Sequence, residues 1–248
     1  MKTMIYLMIG IFAVSVGMSQ SASEWEKKGL SFEAKGKTRE ALNAFLKAEA
    51  KAPKDAEILV KIAKQYGDLM PSLSGAAKKD AANKSLQYSR KAVTVAPNNS
   101  DSHLAVALSL GKSTEFMGNK AKLEASREMK TAAEKALRLN PKSDYAHHML
   151  GRWHQEMAGI GGGTRLVAKI VYGGIPKGSY ETALEHFKSA RSINRKRLIH
   201  QIEYGRTLAL MGKDDEAKRE ITKGLAMPNR DPDDADAKTR GRKTLNDI

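Results

Sequence analysis

Three prolines divide the chain at equal intervals. Pro53, Pro97 and Pro141 stand 44 residues apart, and each closes an alanine-rich run: ALNAFLKAEAKAP, SLQYSRKAVTVAP and MKTAAEKALRLNP. Proline cannot continue a helix, and the residue before it is pushed out of the helical region. A helix must therefore stop at each point and another begin. The stretch Asn140 to Ala158 shows the restart. Ser143 or Asp144 can cap a new helix. Within it Ala146, Met149, Leu150 and Trp153 recur at spacings of three and four, forming one apolar stripe. Gly151 lies beside that stripe, where a neighbouring helix can come close. Ala, Leu, Lys and Glu dominate the chain, and all favour helix. These features predict an array of helix pairs, each burying its apolar face against its neighbours.

Taken in order, the chain repeats one plan. Trp25, Gly29 and Phe32 share a face of a first helix, Gly36-Lys37 makes a turn, and Ala41, Phe45 and Ala48 share a face of a second. Small residues let antiparallel helices approach while aromatic ones fill the gaps. These positions resemble a tetratricopeptide repeat, whose simple period is about 34 residues. The excess falls between the helices of the second and third units, at 67–80 and 111–120, and should lengthen helices and turns. The first helices of these units are expected at Ala56 to Tyr66 and Asp101 to Leu110. The fourth unit opens at Asn140, and its second helix, Tyr180 to Ser192, repeats the plan in Ala183, Phe187 and Ala190. Between them lies the glycine-framed segment 159–179. Its apolar element, Leu166 to Tyr172 with Arg165 and Lys169, reads either as cover for the unit's core or as a lid over a groove. A fifth unit runs from Leu198 to Ala226, with Gly205, Leu208, Gly212-Lys213, Ala217 and Ile221. The fold expected is all-α: a tetratricopeptide-like right-handed α-solenoid of about five helix pairs over 21–227. The polar tail 228–248 either caps the array or frays.

Residues 1–20 read differently. Lys2 precedes a nearly unbroken apolar run from Ile5 to Val16, followed by Gly17-Met18-Ser19-Gln20. This is the pattern of a secretory signal peptide cut near Ser19 or Ser21, which places the mature chain in the periplasm or outside the cell. The alternative is an uncleaved anchor, since the run nearly reaches spanning length. The chain has no cysteine, so neither a disulfide nor a lipid-attachment thiol is available.

The net charge is +15, and Lys188 to Arg197 carries Lys188, Arg191, Arg195, Lys196 and Arg197 without an acid. Such a chain suits nucleic acid, anionic lipid or acidic protein. Export argues against nucleic acid, and a solvated basic face is the plain alternative. Catalytic motifs are missing. Gly111-Lys112-Ser113-Thr114 ends like a phosphate-binding loop, but Val106 stands where the pattern needs glycine. Gly161 to Gly163 lacks the strand and spacing of a nucleotide loop and reads as a hinge. His147 and His154 lie two turns apart, too far to share an ion without a third element. No metal, cofactor or nucleophile constellation is expected.

Read together, NPKSDYAHHMLGRWHQEMAGI, the linker with LVAKIVYG and Pro176, and YETALEHFKSA resemble the regulator of microtubule dynamics family. GKSTEFMGNKAKLEASREMKTAAEKALRLNP fits the same family. The resemblance implies a tetratricopeptide-like array without known catalysis. Its eukaryotic members are linked to microtubules and organelle contact sites, and mitochondria-anchored members to phospholipid binding in the concave face. An export signal stands here in place of their anchors, which argues against a microtubule role. The function expected is non-catalytic: a concave groove receiving a peptide or protein partner, acidic in character. The alternative is binding or transfer of a phospholipid or other amphiphile. The candidate groove residues are Tyr145, His148, Arg152 and Gln155, which share a helix face, and Leu166, Ile170 and Tyr172 of the apolar element.

Overall fold

The computed structural model describes residues 20–248, and every regular element in that range is helical. The expected export signal falls almost wholly outside the described residues. Five helix pairs follow one another: α1 (Ala22–Glu33) on α2 (Thr38–Glu49), α3 (Ala56–Leu69) on α4 (Gly75–Val95), and α5 (Ser100–Ser113) on α6 (Asn119–Leu139). Next come α7 (Asp144–Ala158), then α8 (Gly162–Tyr172), which stands outside the pairing, then α9 (Tyr180–Ile193), the true partner of α7. The last pair is α10 (Leu198–Leu210) on α11 (Asp214–Ala226), and α12 (Asp234–Asp247) packs across both. Each second helix also packs on the next pair, so burial passes from neighbour to neighbour along the array.

The breaks sit where the prolines require them, and side-chain caps start the helices after them. Asp55 accepts from the amides of Glu57 and Ile58, Asn99 from Ser102, Ser179 from Thr182. Ser143, not Asp144, caps α7 by accepting from Ala146. The extra residues of the second and third units lengthen α3 and α5 beyond the expected ends, add single tight turns at Met70–Ser72 and Thr114–Phe116, and give α4 and α6 21 residues each. Gly111 to Ser113 are consequently helical, not part of a turn.

Packing within the pairs follows the small-large plan. Ala41, Phe45 and Ala48 are fully buried, as are Ala183, Phe187 and Ala190. Each large side chain lies against a glycine of the partner helix. A Cβ built on Gly29 would stand 2.4 Å from the Phe45 ring, and one on Gly151 2.8 Å from Phe187. On Gly205 it would meet Ile221 at 2.7 Å. Only glycine permits these crossings. Trp153 is buried, its indole N–H donating to the Ser126 carbonyl at 2.9 Å. Trp25 is half-buried, with the Lys28 and Lys47 ammonium groups 4.7 and 4.3 Å from its ring. The polar tail forms α12. Its start is fixed by the buried Asp234 carboxylate, which accepts from the amides of Arg230 and Asp231.

A candidate binding trough

Helices α5, α6 and α7 border a trough of about 650 Å³, with Ile199 of α10 and the first half of α12 at one side. Leu108, Met129, Met149 and Met157 supply its apolar body, and its charged lining is mixed, with Lys112, Lys122, Arg152 and Arg240 beside Glu115, Glu156, Asp233 and Asp236. Flexible methionines adapt to varied apolar surfaces. A smaller recess of about 210 Å³ continues toward α3 and shares Leu108, Lys112, Tyr145 and Asp233 with the trough. Lys112 stands at the junction. Its ammonium group donates to the Gly67 carbonyl at 3.2 Å and pairs with Asp233 at 3.1 Å and Asp68 at 3.8 Å.

Of the four residues expected on one face of α7, three border the trough. Tyr145 lies beneath the Arg197 guanidinium, 3.9 Å from its ring, and burial holds its phenol well above the usual range. His148 forms part of the floor and is buried, its Nδ1 3.0 Å from His200 Nδ1. His200 Nε2 lies 3.1 Å from an Asp144 carboxylate oxygen. Since the carboxylate can only accept, His200 donates through Nε2 and accepts from His148 Nδ1–H. Burial opposes the charge on Asp144, but the His200 bond and Arg197 hold its carboxyl at about 2. Arg152 reaches inward to Glu203 at 3.0 Å and outward to Glu156 at 2.8 Å.

Gln155 does not border the trough. It is buried against α10, donating to Thr207 Oγ1 at 2.9 Å. Leu166 and Ile170 do not border it either: α8 sits beside the trough and leaves both exposed. Tyr172 lines a separate cavity of about 670 Å³ between α6, α7 and α8, shared with Leu123, Met157, Val167 and Val171. Helical spacing identified a common face but not which of its members a neighbour would cover.

Beneath the trough lies an ionic cluster that spacing did not reveal. Glu203 is fully buried and accepts from Arg152 at 3.0 Å, Arg206 at 2.6 Å and Arg240 at 3.1 Å. Burial opposes its charge, but the three guanidinium groups prevail and hold the carboxyl at about 2. The basic run is likewise partly consumed. Arg191 pairs with Glu220 at 2.8 Å, and Arg197 with Asp231 at 3.2 Å and Asp144 at 3.4 Å.

The third element missing between His147 and His154 is His186 of α9. Its Nδ1 lies 3.1 Å from that of His147, and its ring stacks on His154 at 5.9 Å. Among the described residues no group of three or more histidines and carboxylates is arranged to hold a metal ion. Burial lowers the pKa of His147, His148, His154 and His200, and brings His186 to about 4, from an ordinary 6.5. The unfolded chain therefore binds more protons below pH 6.5. The stability these rings contribute is present above that pH and lost as pH falls through their folded values. Thermal melting should accordingly drop steadily between pH 6.5 and 4, with a shallower slope in His186→Gln. Equal slopes would remove His186 from this account.

The sequence model of the family described as Regulator of microtubule dynamics protein 1-3 matches residues 18–248. Regulator of microtubule dynamics protein 1 of Bos taurus is 29% identical over 171 residues, which is 68% of this chain and 52% of that protein. Protein 1 of Mus musculus is 27% identical over 165 residues, 66% of this chain and 52% of that protein. Regulator of microtubule dynamics protein 2 of the same species is 24% identical over 200 residues, 80% and 49%. The chain thus spans about half the length of the curated relatives it matches. A thermophilic TPR protein of Thermus thermophilus superposes with a TM-score of 0.65 at 17% identity, covering 90% of this chain and 98% of the other. Pseudomonas aeruginosa pilF superposes at 0.56 with 14% identity, covering 91% and 87%. These likenesses establish the helical-repeat fold.

Proposed function

The chain belongs to the regulator of microtubule dynamics protein 1-3 family, and from that premise we propose that it is a non-catalytic binding scaffold whose trough receives an extended or helical segment of an acidic protein. The observation that carries this reading is the trough itself, a methionine-rich apolar channel with the unpaired Lys122 at its edge. Helical-repeat arrays use such surfaces for partners. Lys122 makes no ion pair among the described residues and so presents an unneutralised charge to a ligand. Apolar burial supplies the affinity, and since Lys112, Arg152 and Arg240 are already paired, Lys122 is the cation that favours an acidic residue in the bound segment.

Selection of displayed random peptides on the immobilised protein tests the proposal. Acidic peptides with interspersed apolar residues should be enriched. Gly111 borders the trough, and a Cβ there would meet only the Met149 methyl at 3.4 Å. Gly111→Phe therefore fills the channel from a helical position and should weaken the selected peptides at least about tenfold with melting preserved. Enrichment of basic peptides, or equal affinity for the plugged variant, would count against the trough.

The N-terminal segment is proposed to direct export. Expression of the full chain in a Gram-negative host, with N-terminal sequencing of the periplasmic fraction, should yield a product beginning near Ser19 or Ser21. Retention of Met1 in the cytosol would reject export.

A further inference from the structure

Helix α8 is amphipathic, but its orientation is the reverse of a core-covering helix. The residue it turns inward is charged. Arg165 donates to the carbonyls of Met157, Ile160, Ile175 and Pro176, pinning the segments on both sides of the helix. Ala168 is the one fully buried residue of α8. Its large apolar side chains face out: Leu166 is 62% exposed, Val167 60%, Ile170 79% and Val171 57%. These four account for half of the exposed large hydrophobic residues in the described chain. At 100° per residue they fill a continuous arc. A contiguous apolar face held outward by a half-buried arginine marks a contact surface.

Charge indicates what the face meets. Lys169 borders the arc beside Leu166. Lys122 lies across the cavity that Val167 and Val171 line, and Lys177 follows the helix. None of these amines makes an ion pair among the described residues. An apolar stripe edged by unpaired lysines on a surface helix complements the boundary between acyl chains and anionic head groups. Among the described residues no helix is long and apolar enough to cross a membrane. We propose that α8 lies in the surface of an anionic bilayer, with Leu166, Val167, Ile170 and Val171 among the acyl chains and Lys122, Lys169 and Lys177 at the phosphates. The α8 face adjoins the trough and shares Lys122 with it, so lipid contact is read at position 170, which does not border the trough.

The chain has no cysteine, so Ile170→Cys can carry a single environment-sensitive fluorophore in the full-length protein. The label reports entry of position 170 into lipid even if another segment also binds the vesicle. Mixed phosphatidylethanolamine–phosphatidylglycerol vesicles should shift its emission to the blue and raise it several-fold, with quenching by spin-labelled acyl chains. The same label at Thr239→Cys on α12 should not respond. Combining Lys169→Glu and Lys177→Glu, neither of which borders the trough, should weaken the response at least about tenfold. An unchanged spectrum at position 170 overturns the proposal. So does an equal response with pure phosphatidylcholine, or a shift that follows protein concentration without vesicles, which would assign the face to a second copy of the chain.

Discussion

Glu203→Ala should lower the melting temperature by about 10 °C, one of the two largest effects of any single change expected in this protein. The side chain is fully buried and holds Arg152 of α7, Arg206 of α10 and Arg240 of α12. Removing one partner from a buried ionic cluster leaves the rest uncompensated and costs on the order of 3–5 kcal/mol. Here three cations lose their common anion, and mutual repulsion adds to the loss. Glu203→Gln keeps the shape and should still lose most of the stability, because it removes the charge. Glu216→Ala, on the exposed first turn of α11, is the matching control and should melt like the parent. The pH dependence has a definite sign. A folded value of about 2 against an ordinary 4.5 means that the contribution is complete above pH 4.5 and disappears as pH falls through 2. The variant should therefore lack part of the parent's acid sensitivity. A loss below about 1 kcal/mol would mean that water compensates the arginines and that the cluster is not closed.

Gly151→Leu should break the fourth repeat. Even a Cβ at this position would stand 2.8–2.9 Å from three carbons of the Phe187 ring, which is itself fully buried. The ring cannot retreat into space, and a leucine must push α7 away from α9. Overpacking of this kind costs typically about 1–3 kcal/mol, and at a helix crossing the upper end applies. Limited proteolysis should then cut within α7 to α9 before the first two repeats. Gly163→Leu is the contrasting substitution. It lies in the first turn of α8 with nothing within 4 Å of a built Cβ, and should melt unchanged. Equal melting of the two variants would show that the α7–α9 crossing is not tight.

The repeat plan was legible because its signals are local. Breaks at Pro53, Pro97 and Pro141 and the small and large positions Gly29, Phe45, Gly151 and Phe187 follow from residue size and spacing, while which ring meets which glycine came from the packing. The ionic layer under the trough was not legible. His148 meets His200 52 residues away, and Arg152 meets Glu203 51 residues away, so no window on α7 contains either partner. Spacing therefore placed Tyr145, His148, Arg152 and Gln155 on one face but could not show that α10 claims Gln155 entirely. For α8 the pattern disclosed an apolar side without its direction. The direction is set by Arg165 gripping backbone carbonyls, which leave no trace in side-chain sequence. The last helix lacked an apolar stripe because small residues, Ala237 and Gly241, admit Ile202 and Ile221 from the other side.

A chain of stacked repeats ordinarily yields like a coil spring, each turn bending a little. The Lys112–Asp233 pair joins residues 121 apart and fastens the middle of this coil to its end. Both partners touch water, so salt weakens the fastening. Raising the salt concentration should therefore loosen this one tie while leaving α12 packed on α10 and α11.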